Sequence, residues 1–332
     1  MTELAILTKK DFKSDQEVRW CPGCGDYAIL SCVQGVMAKL GVPKKDIVFV
    51  SGIGCSSRFP YYMDTYGFHG IHGRAPALAS GIKTANPDLT VWLATGDGDG
   101  LSIGGNHLAH ILRRNVDVKI LLFNNEIYGL TKGQYSPTSE LGKVTKSSPF
   151  GSLDHPFNPL QFALGCNATF VARTYDTNMK HMEEVLLAAA KHKGAAFVEI
   201  LQNCVIFNDA CFEDVLDKEI RDDKTVDLRP GQKIVYGKQH EKGLRFDSFE
   251  AKECPADEAA VWDPTRENPA PAFLLAQMDV EHHLPTPIGI LRSVDAPVFD
   301  VDVNAQVRES IAKKGPGKLK DLIYAGDMWT IS

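Results

Sequence analysis

A strand-like run ends in Gly96-Asp97-Gly98-Asp99-Gly100, a helix-like segment follows, and a second strand-like run, Val118-Lys119-Ile120-Leu121-Leu122-Phe123, leads directly into Asn124-Asn125. No other feature constrains the fold as much, because strands alternating with helices build an α/β domain with a mainly parallel sheet. The same order constrains the chemistry. Asp97 and Asn125 offer the hard oxygen ligands that Mg²⁺ takes, with positions left for phosphate oxygens. Glycines let the backbone come close to a ligand, and the N-terminus of the following helix favours an anion. An isolated Asp-Gly repeat is more often an ordinary turn. An EF-hand loop starting at Asp97 would put Leu101 at its fifth position and Leu108 at its twelfth, where oxygen ligands belong, so that reading fails. The pattern suits a metal-bridged diphosphate and points to thiamine diphosphate (ThDP).

The second constellation is cysteine. Cys21 and Cys24 form a C-x-x-C turn in Trp20-Cys21-Pro22-Gly23-Cys24-Gly25, Cys55 sits in Ser51-Gly52-Ile53-Gly54-Cys55-Ser56, and Cys204 follows the apolar run Phe197-Val198-Glu199-Ile200-Leu201. Cys32, Cys166, Cys211 and Cys254 complete the eight. A lone C-x-x-C serves as a zinc half-site, a redox dithiol or an iron–sulfur half-site. Thioredoxin-like use needs a preceding strand, and residues 11–20 are polar and unpatterned. Structural zinc commonly draws a second close C-x-x-C, which this chain lacks, whereas a cluster tolerates one pair and two distant singles. Spacing alone leaves zinc and cluster open.

These residues carry a resemblance. WCPGCGD at 20–26, SGIGCSS at 51–57, HGIHGR at 69–74, GDGDGLSIGGNH at 96–107, Arg113-Arg114-Asn115, and NNEIYGLTKGQ at 124–134 running into Tyr135-Ser136-Pro137-Thr138 resemble the β subunits of 2-oxoacid:ferredoxin oxidoreductases, most closely the 2-oxoglutarate type. The matching segments keep the family's order over residues 15–210. The resemblance implies one [4Fe–4S] cluster held by Cys21, Cys24, Cys55 and Cys204. It implies Mg²⁺ held by Asp97, Asn125 and the Ile127 carbonyl. It implies ThDP contacts at Ile53, Gly54, Cys55, Ser56, His72, Gly96, Asp97, Gly98, Asp99, Asn125, Ile127, Gly129, Leu130 and Thr131, with the cofactor lying between this chain and a separate α subunit. Many relatives have His where this chain has Asp26, a position that faces the cofactor region; Asp26 also reads as the N-cap of the next helix. His72 reads either as a diphosphate contact or as a satisfied turn histidine.

Chemistry follows from the cofactor, which acts as electron sink while CO₂ leaves a 2-oxoacid. A neighbouring cluster accepts electrons singly and passes them to ferredoxin, and coenzyme A captures the acyl group. By resemblance, Arg58, Lys132 and Leu130 lie at the substrate. A distal carboxylate needs a cation, and Arg can hold it bidentately. Arg58 and Lys132 therefore favour 2-oxoglutarate over pyruvate, the alternative being two ordinary surface charges. ThDP activation needs a Glu from a pyrimidine-binding domain; no segment here offers one, so the α subunit should supply it and this chain alone should be inactive. A cluster-free ThDP lyase or synthase and a zinc-stabilised binding module are the rival readings.

Residues 26–40 place Tyr27, Leu30, Val33, Val36, Met37 and Leu40 at helical spacing, ended by Gly41 and Pro43. Strands are expected at 47–50, 90–95, 118–123, around Val171 and at 196–201, with helices at 74–85, 102–114 and 178–192. Residues 130–158 read as a long functional loop. The expected organisation is a ThDP (pyrophosphate-binding) domain with the cluster site over residues 1–210, helices on both sheet faces, and an irregular, proline-interrupted extension over 211–332 packing on the core or a partner. No run approaches the ~18 apolar residues of a membrane helix. The first ten residues lack a signal-peptide core, and scattered cysteines suggest a reducing cytoplasm. A net charge of −6 argues against non-specific nucleic-acid binding.

Overall fold

A computed structural model describes residues 7–278 and 284–331. The helices that flank the main sheet are α1 (Asp26–Leu40), α2 (Ala75–Ala85), α3 (Gly105–Arg114), α4 (Pro159–Gly165) and α5 (Met179–Lys191). The strands are β1 (Ile47–Ser51), β2 (Tyr66–His69), β3 (Thr90–Gly96), β4 (Val118–Asn124), β5 (Phe170–Tyr175), β6 (Ala196–Leu201), β7 (Thr225–Leu228), β8 (Val235–Tyr236), β9 (Lys242–Asp247), β10 (Glu250–Pro255) and β11 (Thr286–Ser293). Eight of them form one sheet in the order β2-β1-β3-β4-β6-β5-β11-β7. Neighbours run parallel except β5 and β11, whose antiparallel register shifts between Ile290 and Arg292. The remaining three form a small antiparallel sheet.

The central strands are largely apolar because both faces are covered, as parallel sheets require, with Lys119 and Glu199 the buried charged exceptions in β4 and β6. Ile47, Phe49, Trp92, Ala94, Leu121 and Phe123 share one core with Ile29, Val33, Met37, Met182 and Val185 of α1 and α5. Val48, Val50, Val91, Leu93, Ile120 and Leu122 share the other with Ala79, Leu108, Leu112 and Leu160 of α2, α3 and α4. This alternation has the strand period of two, so a one-residue slip would exchange the two cores. Helix α1 stops at Gly41, whose φ of 66° suits glycine. Asn178 caps α5 by accepting the His181 N–H, and Asn158 caps α4 by accepting that of Gln161.

Two expectations shift. Helix α3 starts at Gly105 because residues Gly98–Ile103 form a wider π-type turn, with Ser102 outside helical geometry. Strand β2, exposed along its whole length, and the short α4 had no clear pattern in the sequence. The 130–158 segment carries no named helix or strand, as its composition suggests. In the proline-interrupted C-terminal part, β7 and β11 extend the main sheet, and the helix Phe299–Lys314 docks near α2 through Asn304 Nδ2, 3.1 Å from the Thr84 carbonyl. Because β1, β3, β4 and β6 are parallel, they deliver residues 52–55, 97–99, 125–129 and 202–204 to one edge, where ligands of open α/β sheets bind.

Candidate cofactor and redox site

A cavity of about 180 Å³ opens at that edge. Its lining takes in Ile53, Gly54, Cys55, Ser56, His72, Gly96, Asp97, Gly98, Asp99, Asn125, Ile127, Gly129, Leu130 and Thr131, together with Asp26, Phe123, Tyr128 and Gln202. Glycine is required at Gly98: a Cβ there would lie 2.1 Å from the Tyr128 ring, whose hydroxyl donates to the Gly98 carbonyl at 3.0 Å. Leu130 and Thr131 are exposed at the mouth.

The two aspartates of the glycine turn do different things. Asp99 is enclosed. Its Oδ1 accepts the backbone N–H groups of Ile53 (3.0 Å) and Gly73 (2.8 Å), and its Oδ2 accepts the Thr95 hydroxyl at 2.6 Å. It also pairs with His72 Nδ1 at 2.7 Å, which leaves Nε2 of the part-exposed imidazole unengaged by this pair. Asp99 thus acts by organising the loops around the cavity. Asp97 is buried and pairs with the Thr138 hydroxyl at 2.7 Å; burial pushes its carboxyl up to about 6. A buried carboxylate disfavoured by desolvation, beside close-approach glycines and an asparagine oxygen, fits a divalent cation with a diphosphate.

The asparagine pair splits by strand alternation. Asn124 turns away, donating to Glu199 Oε1 at 2.8 Å, while Asn125 faces the cavity and donates from Nδ2 to Gln202 Oε1 at 2.7 Å. Thr138, 2.9 Å from Asn124 Oδ1, ties the long loop into the site. Thr138 lay at the end of the quoted motif without a role, and Gln202 carried no sequence signal.

Two of the thiols border the same edge. A Cβ on Gly129 would lie 3.4 Å from Cys204 Sγ and 3.8 Å from Cys55 Sγ, so the Gly129 backbone, which lines the cavity beside Cys55, lies against these two sulfurs. Trp20 Nε1 donates to the Cys55 carbonyl at 2.7 Å, and the Cys24 N–H donates to the Cys21 carbonyl at 3.1 Å. Burial, then the charges of Asp26 and Cys204, push the Cys55 thiol up to about 12, with Arg58 opposing. Burial raises Cys24 as well, reinforced by Asp26, Cys55 and Cys204. Cys24 and Cys55, whose thiolate forms burial and neighbouring charge disfavour, fit a positively charged iron–sulfur core that would offset that cost. Among the described residues, no three His, Cys, Asp or Glu stand close enough to hold a single ion. Cys32 lies apart, buried in α1 with Sγ 3.8 Å from the Met179 carbonyl.

Asp26 is the first residue of α1 and Gly25 its cap, so the side chain does no capping. Both carboxyl oxygens are buried without a hydrogen-bond partner, and burial pushes the group up to about 7. Arg58 and Lys132 are not part of the cavity lining. Arg58 Nη1 donates to the Arg19 carbonyl at 3.1 Å beside a separate surface hollow, and Lys132 is exposed with a φ of 78°. Among the described residues no helix is long and apolar enough to cross a membrane.

Residues 52–200 match the thiamine pyrophosphate enzyme C-terminal TPP-binding domain. The 2-oxoglutarate oxidoreductase subunit KorB of Mycobacterium tuberculosis is 53% identical over 97% of this chain and 88% of its own length. The β subunit of 2-oxoacid:ferredoxin oxidoreductase 1 from Aeropyrum pernix is 49% identical over 57% of this chain and 60% of that protein. The solved 2-oxoglutarate:ferredoxin oxidoreductase from Magnetococcus marinus, with 2-oxoglutarate, coenzyme A and succinyl-CoA bound, is 35% identical, with a TM-score of 0.78 over 98% of this chain and 97% of that one. This chain belongs to the β subunits of the 2-oxoacid:ferredoxin oxidoreductases, in the 2-oxoglutarate type.

Proposed function

We propose that this chain, joined to its α subunit, performs the coenzyme A-dependent oxidative decarboxylation of 2-oxoglutarate to succinyl-CoA and CO₂ and passes the electrons through a [4Fe–4S] cluster to ferredoxin. One observation carries the reading: the Gly129 backbone borders the cavity and lies against the sulfurs of Cys55 and Cys204, so a cofactor in the cavity and a cluster on the thiols would be neighbours. Bound ThDP supplies the electron sink for decarboxylation, and the cluster supplies one-electron acceptance. This chain's residues do the rest. Asp97, Asn125 and the Ile127 carbonyl would hold Mg²⁺ against the diphosphate, with His72, fixed by Asp99, beside it. Cys21, Cys24, Cys55 and Cys204 would hold the cluster; among the described residues no three such ligands close on one ion, which suits several irons better than one zinc. The lining of the cavity contains three aspartates and no glutamate among the described residues, which supports an activating Glu from the α subunit.

The test is iron content. Each of Cys21, Cys24, Cys55 and Cys204 is changed to Ser in the anaerobically purified α–β complex, and iron and sulfide per chain are measured. Each change should lower both, and Cys32→Ser should leave both intact. Full iron retention in any of the four removes that residue from the set, and zinc in place of iron overturns the reading.

A further inference from the structure

Gln202 touches both halves of this site. It follows β6 directly, and its backbone N–H donates to the Asn124 carbonyl at 2.8 Å, continuing the pairing with β4 by one residue. The residue is 1% exposed. Its Nε2 faces the Asn203 carbonyl and Cys24 Sγ, the latter at 3.4 Å, and its Oε1 accepts from Asn125 Nδ2 at 2.7 Å.

The direction of this chain of bonds is fixed by chemistry. A peptide carbonyl only accepts, so the NH₂ end of Gln202 must face Asn203. Its Oε1 end then faces Asn125, and Asn125 must answer with Nδ2. The oxygen Oδ1 is left free of Gln202; among the described residues it accepts only a long 3.3 Å bond from the Ile127 N–H, which leaves it a lone pair. The anchor is itself held. The Asn203 N–H donates to Asp176 Oδ2 at 2.9 Å, and the same Asn203 carbonyl accepts the Gly25 N–H at 3.2 Å. Gly25 leaves the room: a Cβ there would lie 1.9 Å from Asp176 Oδ2 and 2.9 Å from Gln202 Cγ.

We propose that Gln202 is a positioning residue that links the two cofactor sites, turning Asn125 so that its oxygen rather than its nitrogen meets the divalent ion, and donating an N–H···S hydrogen bond to the Cys24 thiolate. The proposal rests on Cys24 holding the cluster and Asn125 the Mg²⁺. Hydrogen bonds to cluster sulfurs tune the reduction potential, and this one favours the more negative, reduced state. Partners that orient metal ligands are worth about 10- to 100-fold in metal affinity.

The test uses the anaerobic α–β complex with Gln202→Met and Gln202→Glu. Iron content and ThDP content of the unaltered complex are read first; absence of a cluster there defeats the functional reading itself. With a cluster present, Gln202→Met keeps the shape, adds no charge and removes both bonds. Its cluster should titrate at a lower potential by EPR-monitored redox titration, and Mg²⁺ affinity by equilibrium dialysis at saturating ThDP should fall about 10- to 100-fold. Gln202→Glu keeps an acceptor for Asn125 and removes the N–H donor. Its Mg²⁺ affinity should stay close to that of the unaltered complex while its potential falls. An unchanged potential in the Met variant, or equal loss of Mg²⁺ affinity in both variants, overturns the proposal. If the Met variant fails to assemble, Gln202→Leu takes its place in the same comparison.

Discussion

His72 Nδ1 lies 2.7 Å from Asp99 Oδ1, and the same carboxylate accepts the Ile53 and Gly73 backbone N–H groups. One buried group therefore ties together the loop after β1, the loop before α2 and the glycine turn after β3. Asp99→Asn can keep the backbone bonds through its remaining oxygen but loses the charge that orients His72. A hydrogen bond to a charged group contributes about 1.5–3 kcal/mol. ThDP affinity of the α–β complex should fall about 10-fold or more by that energy. His72→Ala should cost a similar amount, and the double variant no more than either single one, because the two residues act as a unit. Additive losses would separate them.

Asp97→Ala should abolish ThDP retention, since the diphosphate loses the carboxylate that holds its neutralising ion. Iron content should be unchanged, because Asp97 is no part of the thiol set. ThDP retained at ordinary affinity with the α subunit present would contradict the Mg²⁺ assignment.

His192 predicts a pH dependence of stability. Burial, then the charge of Lys119, press its imidazole down to about 4 from the ordinary 6.5, and its Nε2 lies 2.8 Å from the Thr169 hydroxyl. The unfolded chain takes up that proton below about 6.5 and the folded protein only below about 4. The contribution is therefore fully present above that window and lost as pH falls through it. His192→Gln should be less stable than the parent near neutrality, and the gap should narrow as pH drops through the window, read from urea midpoints at fixed m-value. A gap constant with pH would show that the imidazole never resists protonation.

Arg58 and Lys132 are proposed to set preference for a dicarboxylic substrate, although this chain alone does not bring them into the cavity lining. Removing one charge-assisted bond should lower kcat/KM for 2-oxoglutarate about 10- to 150-fold, with a much smaller loss for pyruvate, which has no distal carboxylate. The assay is viologen reduction with coenzyme A in Arg58→Ala and Lys132→Ala. Equal losses on both substrates would assign these residues to loop or cofactor positioning.

Much of this arrangement was legible because the glycine turn, the asparagine pair, Cys55 and Cys204 each follow an apolar strand, while Cys21 and Cys24 stand out as a C-x-x-C turn just before α1. Strand β1 was readable from Ile47 to Val50, and helix α1 over residues 26–40 from the helical spacing of Tyr27 to Leu40. Strand β2 was not: Tyr66, Gly67, Phe68 and His69 are all exposed on a sheet edge, so no apolar alternation marks them. The π-type turn at Gly98–Ile103 hid the start of α3, because its sequence, GDGLSI, reads equally as loop or first turn. Gln202 was invisible for a different reason. Its role depends on Cys24, brought beside it from 178 positions away, and on a carbonyl whose direction only the folded chain fixes.

The central claim is that cavity and thiols form one redox unit. The most direct measurement is EPR of the anaerobic α–β complex, frozen before and after addition of 2-oxoglutarate and coenzyme A without any external reductant. The account predicts a reduced [4Fe–4S] signal that appears only with substrate and is absent in Asp97→Ala despite full iron content. A cluster that stays oxidised with 2-oxoglutarate and every other 2-oxoacid tried, or a complex that turns over with no cluster at all, would contradict it.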